Sequence, residues 1–208
     1  MSVSSFMCDS TRAHMATKKL DLSADVFKVA LTYVPSTYYA AWSASTVYAL
    51  GAIRRPSTRN GHRYIVTTIG TSGASTPTWT LEAGATVSDG TVVWTEYGGD
   101  MADYEFFNQL AGPELPTGNG YTEGGETLSG LSVTTAGPET SWDADDTTWL
   151  SLQGAFNVAW IYAVGTTPGT DDYLIGYVVV DADFSDVYLS GIDFIIKWSA
   201  SGIMEMGR

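Results

Sequence analysis

Two apolar runs, Val158-Ala-Trp-Ile-Tyr-Ala-Val164 and Tyr173-Leu-Ile-Gly-Tyr-Val-Val-Val180, indicate the fold class of this chain. Both are rich in residues that β-strands favour, and both have the length of a strand rather than of a helix. Further strand candidates lie at 146–152 and 192–198. Strands that recur at intervals of about 15 residues, with Gly, Pro, Asp and Ser between them, predict an antiparallel β-sandwich or barrel.

Strand candidates of the same kind lie upstream of these runs. A first buried strand is expected within 20–33, and another at 128–134, where it follows a glycine-dense loop. We therefore predict an all-β chain whose scaffold, residues 18–41 plus 100–208, is an antiparallel, jelly-roll-like β-sandwich. Within that scaffold, 101–110 is expected to form either a short helix or a strand.

The composition changes abruptly over residues 42–99. This stretch holds four arginines and three acidic residues, so its net charge is about +1 while that of the remaining chain is about −14. The dipeptides Asn60-Gly61 and Asp89-Gly90 are typical of tight hairpins. Short β-prone runs accompany them at 47–48, 64–68 and 92–95. We predict that 42–99 is a small β module inserted into the scaffold.

The overall composition argues against several classes of function. A net charge of −13 repels phosphate backbones and argues against nucleic-acid binding. No run approaches the roughly 18 apolar residues of a membrane span, so no membrane insertion is expected. Residues 1–17 are polar and aperiodic, which predicts a flexible N-terminal arm without a signal-peptide core. The single cysteine, Cys8, excludes an internal disulfide framework.

Several elements of the module follow one another in a known order. In this sequence they are Trp42-Ser-Ala-Ser-Thr-Val-Tyr48, Gly61-His-Arg-Tyr64, Gly70-Thr-Ser-Gly73, Pro77-Thr-Trp79 and Asp89-Gly90-Thr-Val-Val-Trp94. Together they resemble a small β module of phage tail and head-fibre proteins, which is distantly similar to chitin-binding-type carbohydrate modules. The flanking segments 22–31, 118–128 and 191–203 resemble a family of phage structural proteins that usually lacks this module.

This resemblance implies a non-enzymatic virion protein that is assembled in the host cytoplasm. A capsid decoration, cement or head-fibre protein with an outward-projecting module is expected, and the alternatives are a tail or receptor-binding component or a purely stabilising protein. The implied partners are the major capsid protein or other virion proteins, further copies of the chain in a homo-oligomer such as a trimer, and a host-surface glycan.

Glycan recognition needs flat aromatic rings with polar neighbours. The candidate contact residues are Trp42, His62, Arg63, Tyr64 and Trp79. A module of this size has little core, so the same rings could instead be buried. The strand positions of Trp42, Tyr48 and Trp94 favour the core, whereas Tyr64 and Trp79 are the better candidates for contact.

Catalytic and metal sites are not expected. The two histidines, His14 and His62, lie outside any nucleophile motif, and no catalytic residue or cofactor is predicted. Acidic clusters occur at 143–146, 171–172 and 181–186, but none has the spacing of an EF-hand loop. Aspartates are favoured in turns for their own backbone hydrogen bonds, so no metal site is predicted, although 143–146 is the best calcium candidate.

Overall fold

The computed structural model describes residues 4–33, 40–102, 104–110, 114–165, 172–180 and 187–206. Nearly all of the regular structure is β, and the prediction of an all-β, sandwich-type fold is confirmed. In the first half of the chain the elements are β1 (Ser4–Met7), α1 (Thr11–Ala16), β2 (Phe27–Thr32), β3 (Val47–Tyr48), β4 (Ile53–Arg54), β5 (His62–Thr68), β6 (Gly70–Thr71), β7 (Thr86–Asp89) and β8 (Val92–Gly99).

The second half of the chain begins with a 3₁₀ turn at Phe107–Gln109. The strands that follow are β9 (Glu126–Thr127), β10 (Ser132–Ala136), β11 (Glu139–Asp143), β12 (Thr147–Phe156), β13 (Val158–Ala163), β14 (Leu174–Val179), β15 (Val187–Ile196) and β16 (Met204–Met206). No helix in the described ranges has the length and apolarity needed to cross a membrane.

The centre of the scaffold is an antiparallel five-stranded sheet with the order β1-β14-β13-β2-β9. Every residue of β13 and β14 is buried, which explains why the two strands appear in the sequence as uninterrupted apolar runs. Successive residues still point to opposite faces of the sheet. Ile161 packs into one hydrophobic cluster, while Trp160 and Tyr162 pack into another on the opposite face.

The larger cluster lies between this sheet and a second layer. That layer consists of the β12–β15 ribbon and the three-stranded sheet β10-β11-β16. It contributes four fully buried large side chains, Trp142, Trp149, Leu152 and Phe156. Truncating such a side chain to alanine typically costs about 2–5 kcal/mol, so this cluster is a major source of the scaffold's stability.

The opposite face of the central sheet is covered by residues 101–110. Met101 and Tyr104 are buried there, and the Tyr104 ring meets the edge of Trp160 at a centroid distance of 5.8 Å. Phe107 stacks on Tyr162 at 4.3 Å. Neither alternative predicted for this segment describes it fully, because Phe106 forms an antiparallel bridge with Tyr173 and the following residues, Phe107–Gln109, form a 3₁₀ turn.

The N-terminus differs from the predicted flexible arm. β1 pairs with β14 along its whole length, and the Cys8 amide continues this pairing by donating to the Ile175 carbonyl at 2.9 Å. Thr11, in α1, is buried and its Oγ1 donates to the carbonyls of Leu174 and Ile175. Residues 4–16 are thus part of the scaffold, and Cys8 lies in its interior.

In the module, β3 to β8 pair only with one another among the described strands. They form a two-stranded sheet, β3-β6, and a four-stranded sheet, β4-β5-β8-β7. Asp89 pairs with Val92 across a hairpin in which Gly90 has a φ of 61°, as predicted. Asn60-Gly61 is instead the end of the longer connection from β4 to β5. The independent folding of 42–99 stays a prediction.

Candidate functional site

Tyr64 lies in the core of the module, which contradicts its predicted role in glycan contact. Its side chain is fully buried, and its hydroxyl donates to the Thr80 carbonyl at 2.6 Å and accepts from Asn60 Nδ2 at 2.9 Å. Burial raises the pKa of the Tyr64 hydroxyl to about 12. The ring is therefore sealed between β5 and the loop that carries Thr80, and it offers no face to a sugar.

Trp42 is also buried, together with the predicted core residues Tyr48 and Trp94. Its indole Nε1 donates to Asp89 Oδ2 at 2.7 Å, and Nε1 of Trp94 donates to the same oxygen at 3.1 Å. The other carboxylate oxygen accepts from the Gly73 amide at 2.7 Å. Asp89, which is itself buried, thus binds three N–H donors from three segments and organises the module core.

Arg63 and His62 lie where the module meets the N-terminal segment. Arg63 is buried, and its Nη2 is 2.7 Å from Asp9 Oδ2. His62 Nδ1 is 2.8 Å from Glu96 Oε1, and the imidazole meets the ring of Phe6 edge-on at 4.9 Å. Both side chains therefore contact other parts of this chain, and Arg63 is too buried to contact a glycan.

Trp79 is the predicted contact residue that keeps an aromatic ring partly exposed. The ring packs against Tyr64 at 4.4 Å and against the edge of Trp94 at 5.8 Å, so much of it completes the module core. The five predicted glycan contacts therefore do not form one exposed aromatic platform: three are buried, and His62 is paired with Glu96.

A buried ion pair, which the sequence did not reveal, lies at the end of the module. Arg59 donates from Nε and Nη2 to Asp100 Oδ2 at 2.9 and 2.7 Å, and both side chains are at most 3% exposed. Burial raises the pKa of Asp100, an effect that the adjacent guanidinium opposes. Next to it, the Met101 amide donates to the Tyr177 hydroxyl of the central sheet. These contacts join the module to the scaffold.

The acidic run at 143–146 covers the end of β11 and its connection to β12, and two of its carboxylates bind distant segments rather than a turn of their own. Asp145 accepts from the Ser129 hydroxyl, and Asp146 accepts from the Trp198 amide. Within the ranges that the structure describes, no three metal-ligating side chains come together. The remaining acidic candidates, Asp171 and the aspartates of 181–186, lie outside the described residues.

Four of the exposed large apolar side chains of the scaffold lie on the β12–β15 ribbon. Leu150 and Tyr188 are each 66% exposed, Ile192 is 56% exposed and Ile195 is 45% exposed. The register places Tyr188 opposite Ala155 and Ile195 opposite Thr148, on the side of the ribbon away from the core, whereas Ile192 lies opposite the buried Leu152, beside a bulge. We call these four residues the ribbon patch. Sequence patterns did not reveal it, because a strand with apolar residues on both faces resembles a fully buried one.

A groove of about 390 Å³ adjoins the ribbon patch. It lies between β14 and β15, and its lining is almost entirely apolar, with contributions from Val178, Val180, Leu189, Phe194 and Ile195. Ile195 belongs to both the groove and the ribbon patch. Apolar surface of this kind is typical of protein–protein contacts and of ligand-binding grooves.

Comparison with protein-family models, with curated proteins and with solved structures finds no match. A function for the chain is therefore argued from its own surfaces.

Proposed function

We propose that the chain is a non-enzymatic structural protein of a phage-type virion, a capsid decoration, cement or head-fibre protein that attaches to other virion proteins through its ribbon patch. The observation that carries the proposal is the concentration of four large, exposed apolar side chains on one ribbon. Exposed apolar patches on folded domains commonly mark protein–protein contacts. The resemblance of the flanking segments to phage structural proteins supports the virion as the location of the chain.

The size of the ribbon patch suits a contact that is repeated many times. Fully burying one large apolar side chain contributes about 1.5–3 kcal/mol, so four that are about 60% exposed could contribute roughly 4–7 kcal/mol. Most or all of this is offset by the roughly 4–15 kcal/mol of translational and rotational entropy lost on association. A single contact would therefore be weak, and symmetric repetition over a particle would supply the avidity.

Host-glycan recognition is not part of this proposal. Trp42, Arg63 and Tyr64 are buried, so the surface predicted for a sugar is not formed. The module is instead proposed to be an outward-facing addition to the shell, fixed to the scaffold by the Arg59–Asp100 and Arg63–Asp9 ion pairs.

Incorporation of the chain into particles tests the proposal. Particles from a host that expresses Leu150→Ser or Tyr188→Ser in place of the parent chain should contain much less of it. Leu81→Ser is the matched control, because Leu81 is similarly exposed, at 61%, but lies in the module. All three variants should keep the parent's melting temperature.

Two results would refute the proposal. One is absence of the parent chain from purified particles, and the other is equal incorporation of the Leu150 and Leu81 variants. Antibody labelling of intact particles would place the chain on the head or on the tail, and labelling on the tail would replace decoration with the tail alternative.

A further inference from the structure

β10 is an edge strand without the usual protection against pairing with another chain. Its sequence, Ser132-Val-Thr-Thr-Ala136, contains no charge and no proline, and every residue is exposed. It pairs with β11 through five consecutive residue pairs without a bulge. Edge strands in folded proteins are commonly shielded by charges, proline, bulges or a covering element. Among the described strands, β10 pairs with β11 alone.

The free edge of β10 presents the backbone of Val133 and Thr135. The hairpin to β11 has a two-residue connection, Gly137-Pro138, so Ala136 and Glu139 form its terminal hydrogen-bonded pair. Hydrogen-bonded and non-bonded pairs alternate along an antiparallel ladder. The N–H and C=O groups of Val133 and Thr135 therefore point away from β11, in the arrangement that an antiparallel partner strand requires.

A second copy of the same strand fits this edge. Antiparallel pairing centred on Thr134 would align Val133 with Thr135 of the other copy and Thr134 with its own counterpart. All five aligned pairs then consist of small or β-branched side chains, which sheets favour. Because the strand is paired with itself, the contact is closed by a two-fold axis and leaves no further free edge there.

The charge distribution favours this edge for contact between copies. With a net charge of −13 the chain repels its own copies, so an interface between them must keep acidic groups apart. The acids nearest to β10 in the ladder are Glu139 and Asp143 on β11, the next strand inward. Three strand spacings of about 4.8 Å would separate these acids from the corresponding acids of the other copy. The resulting distance of about 14 Å is greater than the Debye length of about 8 Å.

We infer that two copies of this chain associate through antiparallel pairing of their β10 strands, which joins the β10-β11-β16 sheets of both copies into one six-stranded sheet. This specifies the homo-oligomer of the proposed virion role, but it rests on the strand edge and not on the ribbon patch. One short strand pair buries less than the roughly 1,200 Å² of a stable interface. The dissociation constant is therefore expected to be on the order of 0.1 mM.

Sedimentation of the purified chain from about 10 µM to about 1 mM tests the inference around the expected dissociation constant. The parent should shift from 22.3 kDa towards twice that mass as its concentration rises. Thr134→Glu should weaken the association at least about tenfold, because it places like charges directly opposite each other across the two-fold axis. Thr86→Glu is the matched control: Thr86 is an exposed threonine on β7, the edge strand of the module sheet, and its variant should associate like the parent.

Hydrogen exchange provides a second readout that does not depend on a variant. At high concentration of the parent, the amides of Val133 and Thr135 should become protected. In the Thr134→Glu variant, added salt should partly restore association, because salt screens the repulsion; a misfolded variant would not recover. A chain that stays at 22.3 kDa throughout, a trimer, or a dimer that Thr134→Glu leaves intact would overturn the inference. None of these results depends on the presence of the chain in particles.

Discussion

Replacing Asp89 with alanine should unfold the module and leave the scaffold folded. The carboxylate accepts hydrogen bonds from the indoles of Trp42 and Trp94 and from the Gly73 amide. Alanine removes both acceptor oxygens and therefore all three hydrogen bonds, and it admits little water, because Asp89 is 4% exposed. The aromatic core of the module would then contain N–H donors without partners, while the core clusters of the scaffold, which do not include Asp89, would be unchanged.

The expected loss is comparable to the whole stability of the module. A buried donor left without an acceptor costs about 1–3 kcal/mol, so three such donors cost roughly 3–6 kcal/mol if the Gly73 amide partly recovers a partner. A unit of 58 residues, at about 0.05–0.15 kcal/mol per residue, has a stability of roughly 3–9 kcal/mol. Asp89→Asn keeps the shape and one acceptor oxygen, so its cost should be about 1–3 kcal/mol.

Hydrogen exchange read by mass spectrometry separates the two parts of the molecule. In Asp89→Ala, peptides from β5 to β8 should exchange rapidly, whereas peptides from β13 and β14 should keep the protection of the parent. Asp89→Asn should show a smaller change, confined to the same strands. Loss of protection in β13 together with β5 would show that the module does not fold as a separate unit. Parent-like protection of β5 in the alanine variant would refute the assigned role of the carboxylate.

Three further predictions concern the scaffold and its glycines. Burial against Tyr173 lowers the pKa of His14 below its ordinary 6.5, although Glu105 opposes the shift. Just below pH 6.5, the unfolded chain therefore binds more protons than the folded chain. The stability of the parent should fall as the pH falls through this interval. The melting temperature of His14→Gln should depend less on pH than that of the parent. An equal pH dependence in both would contradict the contribution of His14. Tyr121→Phe removes a buried hydroxyl that donates to Glu114 and accepts from the Leu31 amide. The free energy of unfolding, measured in urea, should fall by about 2–4 kcal/mol. A change near zero would be inconsistent with those hydrogen bonds. Gly125 has a φ of 71°, and an alanine Cβ there would collide with the Val29 carbonyl, so Gly125→Ala should cost more than about 3 kcal/mol of stability. Gly84 has a similar φ of 72° but lies in open space, so Gly84→Ala should cost only about 1 kcal/mol. Similar melting temperatures for the two variants would refute the close approach at Gly125.

The central strands could be predicted from the sequence because their signal is local. The run at 158–164 became β13 (Val158–Ala163), and the run at 173–180 became β14 (Leu174–Val179). Both strands are covered on both faces, so every residue carries the apolar signature and no distant information is needed. The Asp89-Gly90 hairpin was predictable for a similar reason, since its turn requires a positive φ that glycine adopts readily.

The features that were missed depend on contacts between distant parts of the chain. Ser4–Met7 has no alternating pattern of its own, and it becomes a strand because it pairs with β14. Arg63 has the sequence signature of a solvent-facing residue, and it is buried because β1 brings Asp9 to its guanidinium. Tyr64 occupies a strand position that suits both a core ring and a sugar platform, and the difference is made by Thr80 and Asn60, which close over its hydroxyl.

The arginines of the module explain why its charge does not identify an external ligand. Arg59 and Arg63 are directed to Asp100 and Asp9, which lie outside 42–99, and Arg54 and Arg55 donate to nearby backbone carbonyls. Breaking a buried ion pair such as Arg59–Asp100 by removing one partner typically costs about 3–5 kcal/mol, whereas Asp9 is largely exposed and its pair with Arg63 contributes less. Two of the four arginines that distinguish 42–99 in the sequence thus pair with acids of the scaffold, and the other two donate to carbonyls of the module itself. It follows that the composition boundary marks an intramolecular attachment, and that recognition by this molecule is to be sought on its uncharged surfaces, the ribbon patch and the β10 edge.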